Sequence, residues 1–295
     1  MVQLLPGVSA QNAIELVEAA SHEAGNVLGR GLSGVDALNA YRDWSSTQAR
    51  MLSGALTASS MESLVLTRHY WMLQQLDPAA YGPSLNNAVQ FGLGDGMRRL
   101  DEAAASLKSR RDAWSVLGHQ GLVGGTLHAV VLDTNVLLRH AHELETIQWN
   151  AGLGVFPHEA IALGVPLAVV EELDGLKSSN ASMYIGDEKH VTRTLARRAL
   201  KLLDGLFPMQ WRTNQIRRQG GEGDRFAGDL YAVLMIDDLD HVRLPEVDAE
   251  ITDRARELTG YAAKVAVASY DNALLFRARN DGLIAFKPED DNDEN

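Results

Sequence analysis

The feature that narrows the fold most is the stretch Ala129-Val130-Val131-Leu132-Asp133-Thr134-Asn135-Val136-Leu137-Leu138, in which an unbroken apolar run ends in an acid. An apolar run without polar alternation suits a strand covered on both faces, as in parallel α/β sheets, whose ligands bind beyond the carboxyl ends of the strands. Asp133 stands at such an end. Two readings are open on this stretch alone: Asp133 serves a site, or it caps the helix that follows, as Asp and Thr commonly do before an apolar run.

The pattern recurs downstream. Val165-Pro166-Leu167-Ala168-Val169-Val170 reads as a strand with its proline near the beginning, running into Glu171, Glu172 and Asp174. Leu230 to Ile236 is strand-like before Asp237-Asp238, and Lys264 to Ser269 is a β-rich run ended by Tyr270-Asp271-Asn272. Helical spacing marks Val191 to Leu206, Asp248 to Leu258 and Leu275 to Ala278, and Leu283 to Phe286 suits a last strand. A parallel sheet gathers its strand ends on one edge, so these acids become a cluster. Two carboxylates about 4 Å apart repel by roughly 4 kcal/mol at an effective dielectric of 20, so such a cluster needs protons or a cation. Without cysteine, the ligands are oxygens, which favour Mg²⁺ or Mn²⁺ over zinc. His140 and His142 do not change this, because residues two apart on a helix face different ways.

The first part of the chain reads differently. Gln11 to Leu28 and Val35 to about Leu56 carry apolar residues at helical spacing, and Ser59 with Glu62 resembles a capping box opening a third helix that runs to Asp77-Pro78. Ser84 to Trp114 is helical, with Gly92-Leu93-Gly94-Asp95-Gly96 expected to kink or break it; no strand precedes these glycines, so a phosphate loop is not expected. The expectation is an all-α helical domain over residues 1–120, a glycine-rich junction at Gly118 to Gly125, an α/β domain over 126–288 and an acidic disordered tail over 289–295.

Net charge is −12, which argues against a polyanionic partner until its distribution is considered. Residues 1–120 hold 9 of the 27 Lys+Arg and 11 of the 39 Asp+Glu, so the acid excess is mostly C-terminal. Residues 189–218 go the other way, with Lys189, Arg193, Arg197, Arg198, Lys201, Arg212, Arg217 and Arg218 against Asp204 alone. Arg193, Arg197 and Lys201 share one helical face. This run suits a phosphate-binding rim, although a solvated helix face has the same look. Trp211 beside Arg212 invites base stacking, but a partly buried aromatic is commoner. The absence of cysteine, of a signal-like start and of long apolar runs points to a soluble, cytoplasmic protein with no membrane partner.

Val131-Leu132-Asp133-Thr134-Asn135-Val136-Leu137-Leu138, then Val169-Val170-Glu171-Glu172-Leu173-Asp174-Gly175-Leu176-Lys177, then Ser269-Tyr270-Asp271, together resemble a PIN-domain protein over about residues 127–287. The resemblance implies a Rossmann-like, three-layer α/β domain with a parallel sheet, and a metal-dependent nuclease acting mostly on RNA through about four acids. Carried over position by position, these are Asp133, Glu172, Asp248 and Asp271, with Glu171 pointing elsewhere. Asp248 fits the family pattern through Ile251 and Ala255, which leaves Asp253 facing solvent. Ser269 stands where the family usually has Thr, and Asn135 and Ser269 would orient the carboxylates by hydrogen bonds.

The implied chemistry is Mg²⁺- or Mn²⁺-assisted attack of water on a phosphodiester, with an endoribonuclease cleaving single-stranded RNA as the leading function. Metal and phosphate chemistry alone do not tell RNA from DNA. A non-catalytic nucleic-acid-binding scaffold is the alternative. Arg193, Arg197, Arg198, Lys201, Lys177 and Arg277 are the expected nucleic-acid contacts. The helical module is left to bind RNA, to self-associate as a homo-oligomer, or to contact a regulatory partner.

Overall fold

A computed structural model describes residues 2–5, 7–77, 84–119, 126–208, 212–218, 227–237 and 241–288. The expectations for most of the junction, for Trp211, for Asp238 and for the acidic tail lie outside the described residues. The chain divides into two compact units, Met1–Ala113 and Trp114–Asn295. No described helix is long and apolar enough to cross a membrane.

The first unit is helical: α1 (Ala10–Gly29), α2 (Gly34–Leu52), α3 (Ala58–Leu64), α4 (Arg68–Gln75) and α5, which runs on from this unit over Ser84–His119. Ser9 caps α1 by accepting from the Asn12 amide, and Ile14, Val17, Ala20 and Ala24 form its buried stripe. Trp44 Nε1 donates to the Ala20 carbonyl at 3.2 Å, and Ser21 Oγ donates to Asp101 Oδ1 at 2.5 Å, so α2 and α5 are both fastened to α1. Arg42 donates to the carbonyls of Leu73, Gln74 and Leu76, satisfying acceptors that the end of α4 leaves open.

Two expectations fail here for identifiable reasons. The third helix is split in two, because Thr67 caps a new helix from the Tyr70 amide, and the cap of α3 is Thr57, bonded to the Ser60 amide, rather than Ser59. The glycines at 92, 94 and 96 do not break α5, which is continuous. A Cβ on Gly94 would meet nothing within 4 Å, but Gly92 and Gly96 provide room: a Cβ on Gly92 would lie 2.9 Å from the His69 ring and 3.1 Å from Tyr41, and one on Gly96 would lie 3.0 Å from Trp44. Close helix packing therefore requires them.

The second unit is built on a six-stranded sheet of order β5-β6-β2-β1-β7-β8. The strands are β1 (Leu127–Leu132), β2 (Ala160–Pro166), β5 (Thr213–Arg217), β6 (Leu230–Met235), β7 (Val265–Ala268) and β8 (Ile284–Phe286). All pairings are parallel except that edge strand β5 runs antiparallel to β6, which the expectation of a parallel sheet did not include. β1, β2 and β7 are buried along their whole length, as strands covered on both faces must be. The helices are α6 (Thr134–His140), α7 (Trp149–Leu153), α8 (Leu167–Leu176), α9 (Thr192–Leu206), α10 (Val247–Leu258) and α11 (Asn272–Asn280). A two-stranded hairpin, β3 (Ser182–Ile185) with β4 (Glu188–Val191), stands between α8 and α9 in the chain.

The expected strand Val165–Val170 is displaced. β2 ends at Pro166 and α8 begins at Leu167, so Glu172 lies in the second turn of a helix instead of at a strand end. Pro166 fits where it is found, immediately before a helix, where its fixed φ and missing N–H do no harm.

Candidate active site at the switch point of the sheet

From β1 the chain adds β2, then edge strand β5, then β6 between β5 and β2, before placing β7 and β8 on the other flank, so the strand order reverses between β1 and β7. The carboxyl ends of two such strands diverge and leave a crevice where doubly wound sheets bind ligands. Asp133 follows β1 and Asp271 follows β7 by three residues, one on each lip.

Asp133 is buried, with 6% of its surface exposed. Its amide donates to the Ala268 carbonyl at 3.1 Å, tying it to β7. Its Oδ1 accepts from the Thr134 amide at 2.6 Å, which makes it the cap of α6, and its Oδ2 accepts from Ser269 Oγ at 2.6 Å. The capping reading of this residue therefore holds. Ser269 Oγ also accepts from the Asp271 amide at 2.8 Å and from Asn135 Nδ2 at 3.3 Å, while Asn135 Oδ1 accepts from the Tyr270 amide at 3.0 Å. Asn135 and Ser269 thus lace the end of β7 to the start of α6. Asp271 caps α11 through the Ala273 amide, and its carboxylate is exposed.

Glu172 arrives from α8, where Thr134 Oγ1 donates to its Oε2 at 2.5 Å, and it too is exposed. Glu171 faces away and pairs with Arg243. Asp248 is the second residue of α10, and Ile251 and Ala255, both fully buried, fix the rotation of that helix.

Electrostatics join the four acids. Burial pushes the Asp133 carboxyl up to about 6, against the pull of its bonds from Ser269 and Thr134, and the charges of Glu172 and Asp248 add to the rise. Asp248 is also raised, first by burial and then by Asp271, with Arg277 opposing and Glu172 and Glu246 adding to it. Such a cluster favours protons or a cation.

Among the described residues, one trio of metal-ligating side chains has its ligand atoms within 4.8 Å of one another, and it is not this quartet: it is Asp237, His241 and Glu250. These groups already have partners. His241 Nε2 and Glu250 Oε1 are 2.7 Å apart, the Leu244 amide donates to Glu250 Oε2, and Arg243 donates to Asp237. The trio pins the loop that leads into Asp248. Asp133, Glu172, Asp248 and Asp271 do not bring three ligand atoms that close together.

Other expectations resolve residue by residue. Arg193, Arg197, Arg198 and Lys201 are exposed on α9. Lys177 pairs with Asp174, and Arg277 pairs with Glu246 at 2.7 Å beside Asp248. Arg217 is spent on the carbonyls of Glu145 and Gly228. Asp253 is half-buried rather than solvent-facing, and burial raises its carboxyl. His140 is buried against the Tyr270 hydroxyl at 2.6 Å, whereas His142 is exposed and pairs with Glu143. Sequence reasoning missed Thr134, whose amide donates to Asp133 and whose hydroxyl donates to Glu172; a hydroxyl one residue after Asp133 was the available signal.

No curated protein and no solved structure matches the chain. The family model described as PIN domain matches residues 130–289. That segment begins inside β1, ends beyond β8 and contains Asp133, Glu172, Asp248 and Asp271. PIN domains are a nuclease-type fold that acts on nucleic acids and typically works with divalent metal ions, and with more than half of its length matched, this chain belongs to the PIN domain family.

Proposed function

We propose that the protein is a metal-dependent nuclease, an endoribonuclease for single-stranded RNA in its leading form, with Asp133, Glu172, Asp248 and Asp271 as the residues that hold Mg²⁺ or Mn²⁺. The observation that carries this reading is Asp133: a buried carboxyl pushed up to about 6, near further acids and, among the described residues, with no guanidinium or ammonium bonded to it. Proteins seldom bury such a group without a cation to bind. The donor set is all oxygen, as hard divalent cations require.

When bound, such ions activate water and stabilise charge on the phosphate and the leaving oxygen. The chain's own residues supply the rest. Ser269 and the Thr134 amide hold the two oxygens of Asp133 in fixed directions, and Thr134 Oγ1 aims Glu172. Arg277 lies where it can offset the charge of a phosphate approaching Asp248. The exposed cations of α9 give the polyanion a surface that the acids do not.

The test is cleavage of labelled single-stranded RNA and single-stranded DNA with Mn²⁺ or with EDTA, beside Asp271→Asn. EDTA-sensitive cleavage of RNA, reduced at least about 100-fold in the variant, is the expected result, on the scale seen when one transition-state stabiliser is removed. Cleavage of DNA alone would redirect the substrate, and binding of either strand without cleavage would make the protein a scaffold.

A further inference from the structure

We infer that the β3–β4 hairpin is a base-stacking platform, with Tyr184 as its stacking ring, for the single-stranded segment flanking the cleaved phosphate; this rests on the nuclease reading above. The hairpin turns through Gly186-Asp187, with Gly186 at φ 56°, a conformation that suits glycine in a two-residue loop. Register pairs Ser182 with Val191, Tyr184 with Lys189 and Met183 with His190. Because side chains alternate, the hairpin has two faces. Met183 and Ile185 pack onto the core of the C-terminal unit, and His190 and Glu188, 3.4 Å apart, share their side. The opposite face carries Tyr184, 61% exposed, directly across from exposed Lys189, with Val191 beside them.

An exposed tyrosine on a rigid strand costs solvation unless something covers it, and three features identify a nucleic acid strand as the cover. Cross-strand to the ring is a cation, so a base can stack while its phosphate is neutralised. The hairpin leads directly into α9, whose exposed Arg193, Arg197 and Lys201 continue the same charge at one-turn intervals. Among the described residues, Lys189, Arg197, Arg198 and Lys201 make no ion pair. The acids of the hairpin are Asp187, at the turn, and Glu188, which is exposed but paired with His190 on the face opposite Tyr184. Arg193 Nη1 reaches Asn180 Oδ1 at 3.4 Å, and the Ala181 amide donates to Ser179 Oγ at 3.1 Å, steadying the base of the hairpin close behind α8, the helix that carries Glu172.

The experiment is binding of a fluorescein-labelled single-stranded RNA of about 12 nucleotides in EDTA, with the DNA and duplex equivalents alongside. Tyr184→Ala is expected to weaken single-strand binding about 5- to 100-fold, Tyr184→Trp to preserve it, and neither to alter duplex binding or thermal unfolding. With 2-aminopurine in the strand, wild type quenches its fluorescence and Tyr184→Ala does not. Wild-type binding that Tyr184→Ala leaves unchanged overturns the platform and leaves the nuclease reading intact. Stacking that depends on Tyr184 without any metal-dependent cleavage defeats the nuclease reading and keeps the platform. Absence of single-strand binding by wild type overturns the platform, and the nuclease reading then stands or falls by metal-dependent cleavage alone.

Discussion

Asp133→Asn in the metal-free protein should change the sign of its effect with pH. The folded carboxyl titrates at about 6 against an ordinary 3.8. Between those values the native state keeps a proton that the unfolded chain has released, so stability falls as pH rises, by about 3 kcal/mol in total once pH exceeds the folded value. Asparagine removes that cost. It also cannot accept the Ser269 hydroxyl proton on its amide nitrogen, a loss of about 1 kcal/mol at any pH. The variant should therefore be about 1 kcal/mol less stable than wild type below roughly pH 4 and about 2 kcal/mol more stable above roughly pH 7, crossing near pH 4.5. Urea unfolding in EDTA at several pH values measures the difference directly, with an unchanged m-value as the check that both proteins unfold alike. Excess Mn²⁺ should then reverse the order at neutral pH, since a ligand present at 100 times its Kd adds about 2.7 kcal/mol to the protein that binds it. A stability difference that is constant across the pH range would refute the claim that burial and neighbouring acids hold Asp133 protonated.

Ser269→Ala removes the hydroxyl that draws the Asp133 carboxyl down, so Mn²⁺ affinity measured by calorimetry should fall at pH 6 to 7 and recover toward higher pH, while Ser269→Thr should behave as wild type. Gly92→Ala gains about 1 kcal/mol of helix propensity but drives a methyl into the His69 and Tyr41 rings, so a net loss of about 1–2 kcal/mol is expected from thermal unfolding. An unchanged or raised melting temperature would mean that those rings have room to move.

The acids at the ends of β1 and β7 were legible because a buried apolar run followed by a carboxylate is costly and therefore informative. Asp248 was legible only through the resemblance, since nothing local separates it from the other acids of an ordinary amphipathic helix such as α10. The boundary between β2 and α8 was not legible: Ile161 to Val170 is one apolar stretch, and burial on all sides erases both the period of a strand and that of a helix. Pro166 marks the change, but proline is equally at home at the start of a strand. Gly92 and Gly96 misled because their purpose is set by Tyr41, Trp44 and His69 on other helices, which periodicity along one segment cannot express. The hairpin went unread because four-residue strands are too short for alternation to register, although Gly186-Asp187 was a turn signal.

The reversal of strand order between β1 and β7 also governs when the site can exist. Ser269 and Asp133 are 136 residues apart in the chain, so the bond that orients the first acid closes one of the longest loops in this unit. Contacts at such separation carry the largest closure entropy and form late in folding. During synthesis, a chain that has emerged only as far as α9 already exposes Asp133 and Glu172 but holds neither Asp248 nor Asp271. The four acids are therefore present together only once β7 and the start of α11 have been made.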